Sequence, residues 1–305
     1  MKSFKYLLTA IFVMMLCCRL SAQNSDDARS LIKEGQKLSD EKKYTEAIEK
    51  YREALKLDTG NMFADYQLAN SLFLSDKGPE GIPYLNKITQ SDNKLKGAAY
   101  DLLGLIYFKN KQYIEAETAA ISAIKIDLKH ASSQRMYALV SFHQNKRAQA
   151  FLGFCSFILL EPNTARSAEA YGNMQHIIQG GALKPESGEM QSHAIEANVN
   201  ALNQAITQAV ADFSKRRYAS AGDLLNAELT AIFTNIGKLA EKQTGNDFFR
   251  NYLAAYFYKL AQSPNMPAFA RLVSSSTPES AKWIKEHPQQ MTDLDNWIKN
   301  TERGF

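Results

Sequence analysis

A pattern returning about every 34 residues between Ala28 and Gln179 limits this chain more than any other feature. Aligned on their small residues, the units begin at Ala28, Met62, Gly97, Ala131 and Ala165, with steps of 34, 35, 34 and 34, and the last unit is half present. Position eight of each unit holds Gly35, Ala69, Gly104, Ala138 and Gly172, and position twenty holds Ala47, Gly81, Ala116 and Ala150. Two antiparallel helices that cross closely need small residues at the crossing, because a larger side chain pushes the backbones apart. The period therefore predicts stacked helical hairpins, each burying its apolar face against the next.

Bulkier residues fill the space around each crossing. Unit one offers Tyr44, Ile48, Tyr51, Ala54 and Leu55; unit two, Leu68, Leu72, Leu85 and Ile88; unit three, Leu103, Tyr107, Tyr113 and Ala123. Unit four offers Tyr137, Phe154 and a closing Pro162, which stands where a helix should stop. The order of tyrosine, alanine, aromatic and alanine closely resembles the tetratricopeptide repeat (TPR). Departures are Thr59, Asn93 and Leu128, where that family favours proline, and Ser141, where it favours an aromatic residue. The resemblance covers about half of the chain and implies a binding surface rather than an active site.

The first residues carry a separate message. Lys2 and Lys5 precede an apolar run from Tyr6 to Cys18, followed by Arg19-Leu20-Ser21-Ala22-Gln23. A basic start, a short apolar core and a small residue at the cut describe a secretory signal peptide over 1–22, too short to span a bilayer. Lipidation at Cys17 or Cys18 is the competing reading, and Met15 and Leu16 fit a lipobox poorly. Cleavage removes Lys2, Lys5 and Arg19, so 36 basic residues become 33 against 32 acidic ones, a net charge of +1. That balance gives no reason to expect nucleic acid or an anionic membrane surface as partner. Cys155 alone remains, inside the apolar stretch Phe151 to Leu160, where it reads as a small buried hydrophobe.

The expected organisation is a repeat array over 23–179, a linker over 180–188 and a helical C-terminal module over 189–305. Gly180, Gly181, Pro185 and Gly188 break the helical pattern in the linker. Beyond it, apolar spacing predicts helices from about Met190 to Arg216 and from Ser220 to Lys242. Phe249, Tyr252, Leu253, Tyr256 and Leu260 share one face of a third, which reads as core. Shorter helices are expected at Met266–Val273, Pro278–His287 and Thr292–Thr301, with Trp283 and Trp297 clamping the end of the fold. No strand pattern of useful length occurs, and the expected fold class is all-α.

In the TPR superhelix, positions two, five, nine and twelve of each first helix line a concave groove. That resemblance marks Phe63, Tyr66, Asn70 and Phe73 in unit two, and Asp101, Leu105 and Phe108 in unit three. It marks Arg135, Leu139 and Phe142 in unit four, and Glu169, Asn173 and His176 in unit five. Phe73, Phe108 and Phe142 recur at position twelve and would anchor apolar side chains of a protein or peptide partner. The competing expectation is that the C-terminal helices fold back and fill the groove. The carboxylate clamp of some TPR proteins needs lysine and asparagine at positions five and nine; Asn70 follows Tyr66 and Asn173 follows Glu169, so it is not expected. His130, His143, His176, His193 and His287 form no HExxH or paired-ligand motif, and no phosphate loop or GxSxG is present. Neither a cofactor nor catalysis is expected. Two alternatives remain: glycan or nutrient binding by the aromatic faces, and an enzyme built from Trp283, His287 and nearby acids.

Overall fold

Residue 15 of each of the first four units takes a left-handed backbone, and this fixes the hairpins. Lys42, Asp76, Lys111 and Asn145 have φ of 60°, 62°, 60° and 55°. The amide after each one donates to the carbonyl five residues back: Lys43 to Leu38 at 2.8 Å, Lys77 to Leu72 at 2.8 Å, Gln112 to Tyr107 at 2.9 Å and Lys146 to Ser141 at 2.9 Å. The left-handed residue itself donates to Ser39, Phe73, Phe108 or Phe142. Four Schellman caps thus end four first helices in the same way, satisfying carbonyls the helix leaves open. None of the four residues is glycine, so the sequence does not advertise these turns.

The computed structural model describes residues 24–180, 197–211, 213, 216–244 and 248–304, and those residues are all-α. The expected signal peptide lies outside them, as do all of the expected linker except Gly180 and the start of the helix expected from Met190. The chain divides into two compact units, Met1–Gln112 and Tyr113–Phe305. The division falls in the turn inside the third repeat.

The first unit contains α1 (24–40), α2 (Tyr44–Leu57), α3 (Met62–Leu74), α4 (Gly78–Thr89) and α5 (Lys96–Lys109). Its core joins Ala28, Ile32, Ala47, Tyr51, Leu68 and Leu72. Small residues sit where helices meet: a Cβ on Gly35 would lie 2.6 Å from the Tyr51 ring, and one on Gly81 would lie 3.1 Å from the Ala69 Cα. Asn61 caps α3, its Oδ1 accepting from Ala64 N at 3.0 Å. Lys87 Nζ bridges the buried Asp65 carboxylate and the Thr59 carbonyl, each at 2.6 Å. Burial nevertheless holds the Asp65 carboxyl above its ordinary range.

The second unit begins with α6 (Tyr113–Ile126), α7 (Ala131–His143), α8 (Arg147–Leu160) and α9 (Ala165–Ile178). First helices thus start at Met62, Lys96, Ala131 and Ala165, in step with the repeat. It continues with α10 (Ala197–Val210), α11 (Ala221–Ala240), a π-helical turn at Phe248–Ala254 running into α12 (Ala255–Ala261), α13 (Met266–Val273), α14 (Pro278–Glu286) and α15 (Pro288–Asn300). Helix α8 is apolar on every side and 11 of its 14 residues are buried. Helices α10 and α13 and the π-helical turn pack directly on it. One hydrophobic core therefore runs from Ala120 through Phe154 and Ile206 to Phe269 and Leu294. The array from Tyr113 onward and the C-terminal helices share this core instead of forming two.

Polar groups lock that core. Asn203 of α10 reaches the start of α8, where Lys146 supplies no side-chain cap. Its Oδ1 accepts from Ala148 N at 3.3 Å, and its Nδ2 donates to the Asn145 carbonyl at 2.7 Å. Gln134 Nε2 donates to the Tyr252 hydroxyl at 2.6 Å, and Ser156 Oγ donates to Gln134 Oε1 at 3.0 Å. Arg303 closes the chain of bonds, its Nη1 donating to Ser156 Oγ at 2.5 Å. The π-helical turn, Phe248–Ala254, departs from the straight stripe expected for Phe249 to Leu260. Its wider winding stacks Phe248 on Tyr252 at 5.0 Å while the Tyr252 hydroxyl holds Gln134. Pro288 opens α15 as well as closing α14, so α15 begins four residues before the expected Thr292.

Candidate functional site

In the first unit, α3 and α5 carry the expected groove residues on adjoining helices. Phe63 is 38 % exposed and Leu105 is 42 % exposed, a degree of solvent contact that Leu57, Leu74, Ile114, Ile126 and Leu128 share; what sets these two apart is their place in the expected groove register. Tyr66, Asn70, Phe73, Asp101 and Phe108 are half-buried beside them. Burial, with the negative charge of Asp101 nearby, pushes the Tyr66 phenol above its ordinary range, so the hydroxyl stays a neutral donor and acceptor. Phe73 lies at one end, beside a shallow cleft lined by Gly78, Pro79, Ile106 and Lys109. Lys109 Nζ stands 5.5 Å from the Phe73 ring centroid and pairs with Asp76. A Cβ on Gly78 would meet Ile106 at 3.3 Å and Phe73 at 3.5 Å, so the phenylalanine is braced by the start of α4. At the equivalent place on α1, Ser39 turns inward to the Ser71 hydroxyl at 3.1 Å.

The second unit treats the same register differently. Phe142 is 4 % exposed, edge-on to Phe154 at 6.2 Å and to His176 at 6.1 Å. It is core, whereas Phe73 and Phe108 are half-buried, so the three phenylalanines share a register position but not an environment. Both of these ring contacts of Phe142 are to its own repeat and the next one. Arg135 Nη2 donates to Glu169 Oε2 at 2.8 Å, so these two position-five charges answer each other. Leu139 and Asn173 are half-buried, and Glu169 and His176 are exposed.

The residues weighed for chemistry also have structural engagements. His143 stacks on Tyr113 at 5.2 Å, and His287 stacks on Trp283 at 4.1 Å while its Nδ1 meets the Trp283 carbonyl at 2.9 Å. Near Trp283, Arg271 is 4 % exposed and its guanidinium grips Glu279, Asp223 Oδ1 at 3.0 Å and Ser220 Oγ at 2.8 Å. That guanidinium holds the Glu279 carboxyl below the usual carboxylate range, which makes it a poor proton acceptor. Cys155 is fully buried, and its thiol is pushed well up by that burial. Among the described residues no three His, Cys, Asp or Glu side chains stand close enough to hold a metal ion.

Sequence reasoning passed over Gln134, Ser156, Asn203, Arg271 and Arg303, which organise the second unit. Ser156 within Phe151–Leu160 and Asn203 between Leu202 and Ile206 were visible as polar residues in apolar surroundings. Such residues are buried only with a partner, and those partners lie 22 to 147 positions away. No protein-family model matches this chain, and neither does any curated protein with which it was compared.

Proposed function

We propose that this chain is an exported adaptor of the cell envelope, a TPR-type array that holds a segment of a partner protein against the face of α3 and α5. The observation that supports this reading is the partial solvent exposure of Phe63 and Leu105, flanked by half-buried Tyr66, Phe73 and Phe108 on the same two helices. Apolar and aromatic groups gathered on one face supply the anchors that dominate most interfaces, at about 2 kcal/mol or more for the strongest. Asn70 and the Tyr66 hydroxyl add polar groups that would orient a bound backbone. Export is supported by the basic and apolar pattern of residues 1–22. Among the described residues, no helix is long and apolar enough to cross a membrane.

The test is cross-linked capture from envelope extract, comparing the mature chain with a Phe63→Ser/Leu105→Asp variant. Both replaced side chains reach solvent, so the variant is expected to melt with the parent. A discrete partner held by the parent and lost by the variant supports the adaptor reading. Identical captures by the two proteins would overturn it.

A further inference from the structure

The last elements of the second unit are held in an uneven way. Only Ser280 in α14 and only Leu294 in α15 are buried, whereas six of the eight residues of α13 are. Apolar cover of 278–300 is mostly partial, with Leu294 buried and Trp283, Met291, Trp297 and Ile298 half-buried against the core, while polar contacts pin its two ends. At the first, Arg271 of α13 grips Glu279, and Glu279 Oε1 also accepts from Gly222 N at 3.2 Å. At the other, Arg303 lies outside any helix and places its guanidinium over three rings: Tyr256 at 4.0 Å, Tyr252 at 5.1 Å and Phe257 at 5.6 Å. The same guanidinium donates to the fully buried Ser156. Between the ends, Trp297 meets Tyr256 at 5.1 Å.

We infer that residues 278–304 form a strap that opens as one piece while the rest of the second unit stays folded, with the Arg271–Glu279 contact as its hinge and Arg303 as its latch. Segments with few buried apolar contacts open at lower free energy than the core beneath them, and pins at the ends make the segment move together. Arginine suits the latch. Its planar cation stacks on aromatic faces while its N–H groups reach a hydroxyl, and a lysine ammonium offers no planar stacking face. Opening uncovers the faces of Tyr252, Tyr256 and Phe257 together with the Ser156 hydroxyl, a surface that takes a guanidinium in the closed state. The inference is independent of the α3–α5 face.

Both tryptophans of the chain, Trp283 and Trp297, lie in the strap, so their emission follows the strap and its contacts with Arg271 and Tyr256. The experiment is a urea titration of the mature chain read by tryptophan emission and by helical circular dichroism, with hydrogen exchange measured in parallel. The tryptophan transition is expected to finish at lower urea than the loss of helix. Arg303→Ala is expected to move it lower still and to speed exchange over 288–300 by about tenfold, leaving α8 and α11 unchanged. Arg303→Lys should fall between the two. Coincident transitions in the parent, or a parallel shift of both probes in Arg303→Ala, would overturn the strap. Should Arg303→Ala fail to fold, the parent's two probes and the lysine variant decide the question.

Discussion

Two glycines at the same repeat position have opposite surroundings. Gly35 is pressed against Tyr51, whose ring is fully buried and has nowhere to move. Gly172 is exposed, and a Cβ added there would meet nothing within 4 Å among the described residues. Gly35→Ala is therefore expected to cost about 1–3 kcal/mol through overpacking. Gly172→Ala should stabilise by up to about 1 kcal/mol, because alanine is the better helix former. Urea denaturation of the two variants checks both signs, and equal effects would refute the difference in packing. The residue type was legible at both positions; what touches it was not. The same holds for the candidate face. The register of Phe73, Phe108 and Phe142 was readable from spacing, and the period also sets His176 one repeat beyond Phe142, but that Phe142 is buried while Phe73 and Phe108 are not could not be read from it.

Helix starts were the most legible elements. The small-residue pattern placed Met62, Ala131 and Ala165 where α3, α7 and α9 begin and came within one residue of α5, since a tight helix crossing tolerates few residue types. Pro278 after Thr277 likewise marked α14, with the Thr277 hydroxyl accepting from Ser280 N at 3.3 Å. The start of α8 was readable only as the beginning of an apolar run, because its cap comes from Asn203, 55 positions onward. Replacing Asn203 by alanine strips a partner from a buried amide and a half-buried carbonyl at once. A loss of about 1–3 kcal/mol is expected, with Asn203→Asp losing no less, because it keeps the acceptor for Ala148 N but sets a buried carboxylate oxygen against the Asn145 carbonyl. Thermal melts of the pair measure it, and an unchanged melt for Asn203→Ala would show that α8 needs no outside cap.

Across the second unit, composition announced helices but not their common core. The sequence places repeats before the glycine-rich segment and non-repeating helices after it, which suggests two bodies in succession. Instead, Phe151, Phe154 and Phe157 of α8 share one cluster with Phe233, Phe257 and Phe269 from beyond that segment. A chain ending at Gly180 would leave the α8 rings facing water, at a cost of about 25 cal/mol for each Å² of apolar surface uncovered. It is expected to bind a hydrophobic dye and to lose its cooperative melt, as read by dye fluorescence and circular dichroism. A truncated chain that melts as sharply as the parent would show that the repeats need no outside cover.

The left-handed turns also govern where the chain can change length. Within each of the first four repeats, three residues separate the two helices, and one of them is fixed at positive φ. An inserted residue there would rotate the second helix by about 100° and aim its apolar stripe away from the core. Between repeats the link runs to four residues at 58–61, 127–130 and 161–164 but to six at 90–95. This longer link absorbs the single 35-residue step, and Asn93 braces it through Nδ2 to the Ile88 carbonyl at 3.1 Å and Oδ1 from Leu95 N at 2.8 Å. Insertions and deletions should therefore accumulate between hairpins and be purged within them. A foreign epitope or fluorophore belongs at 90–95, the one joint whose phase has already slipped.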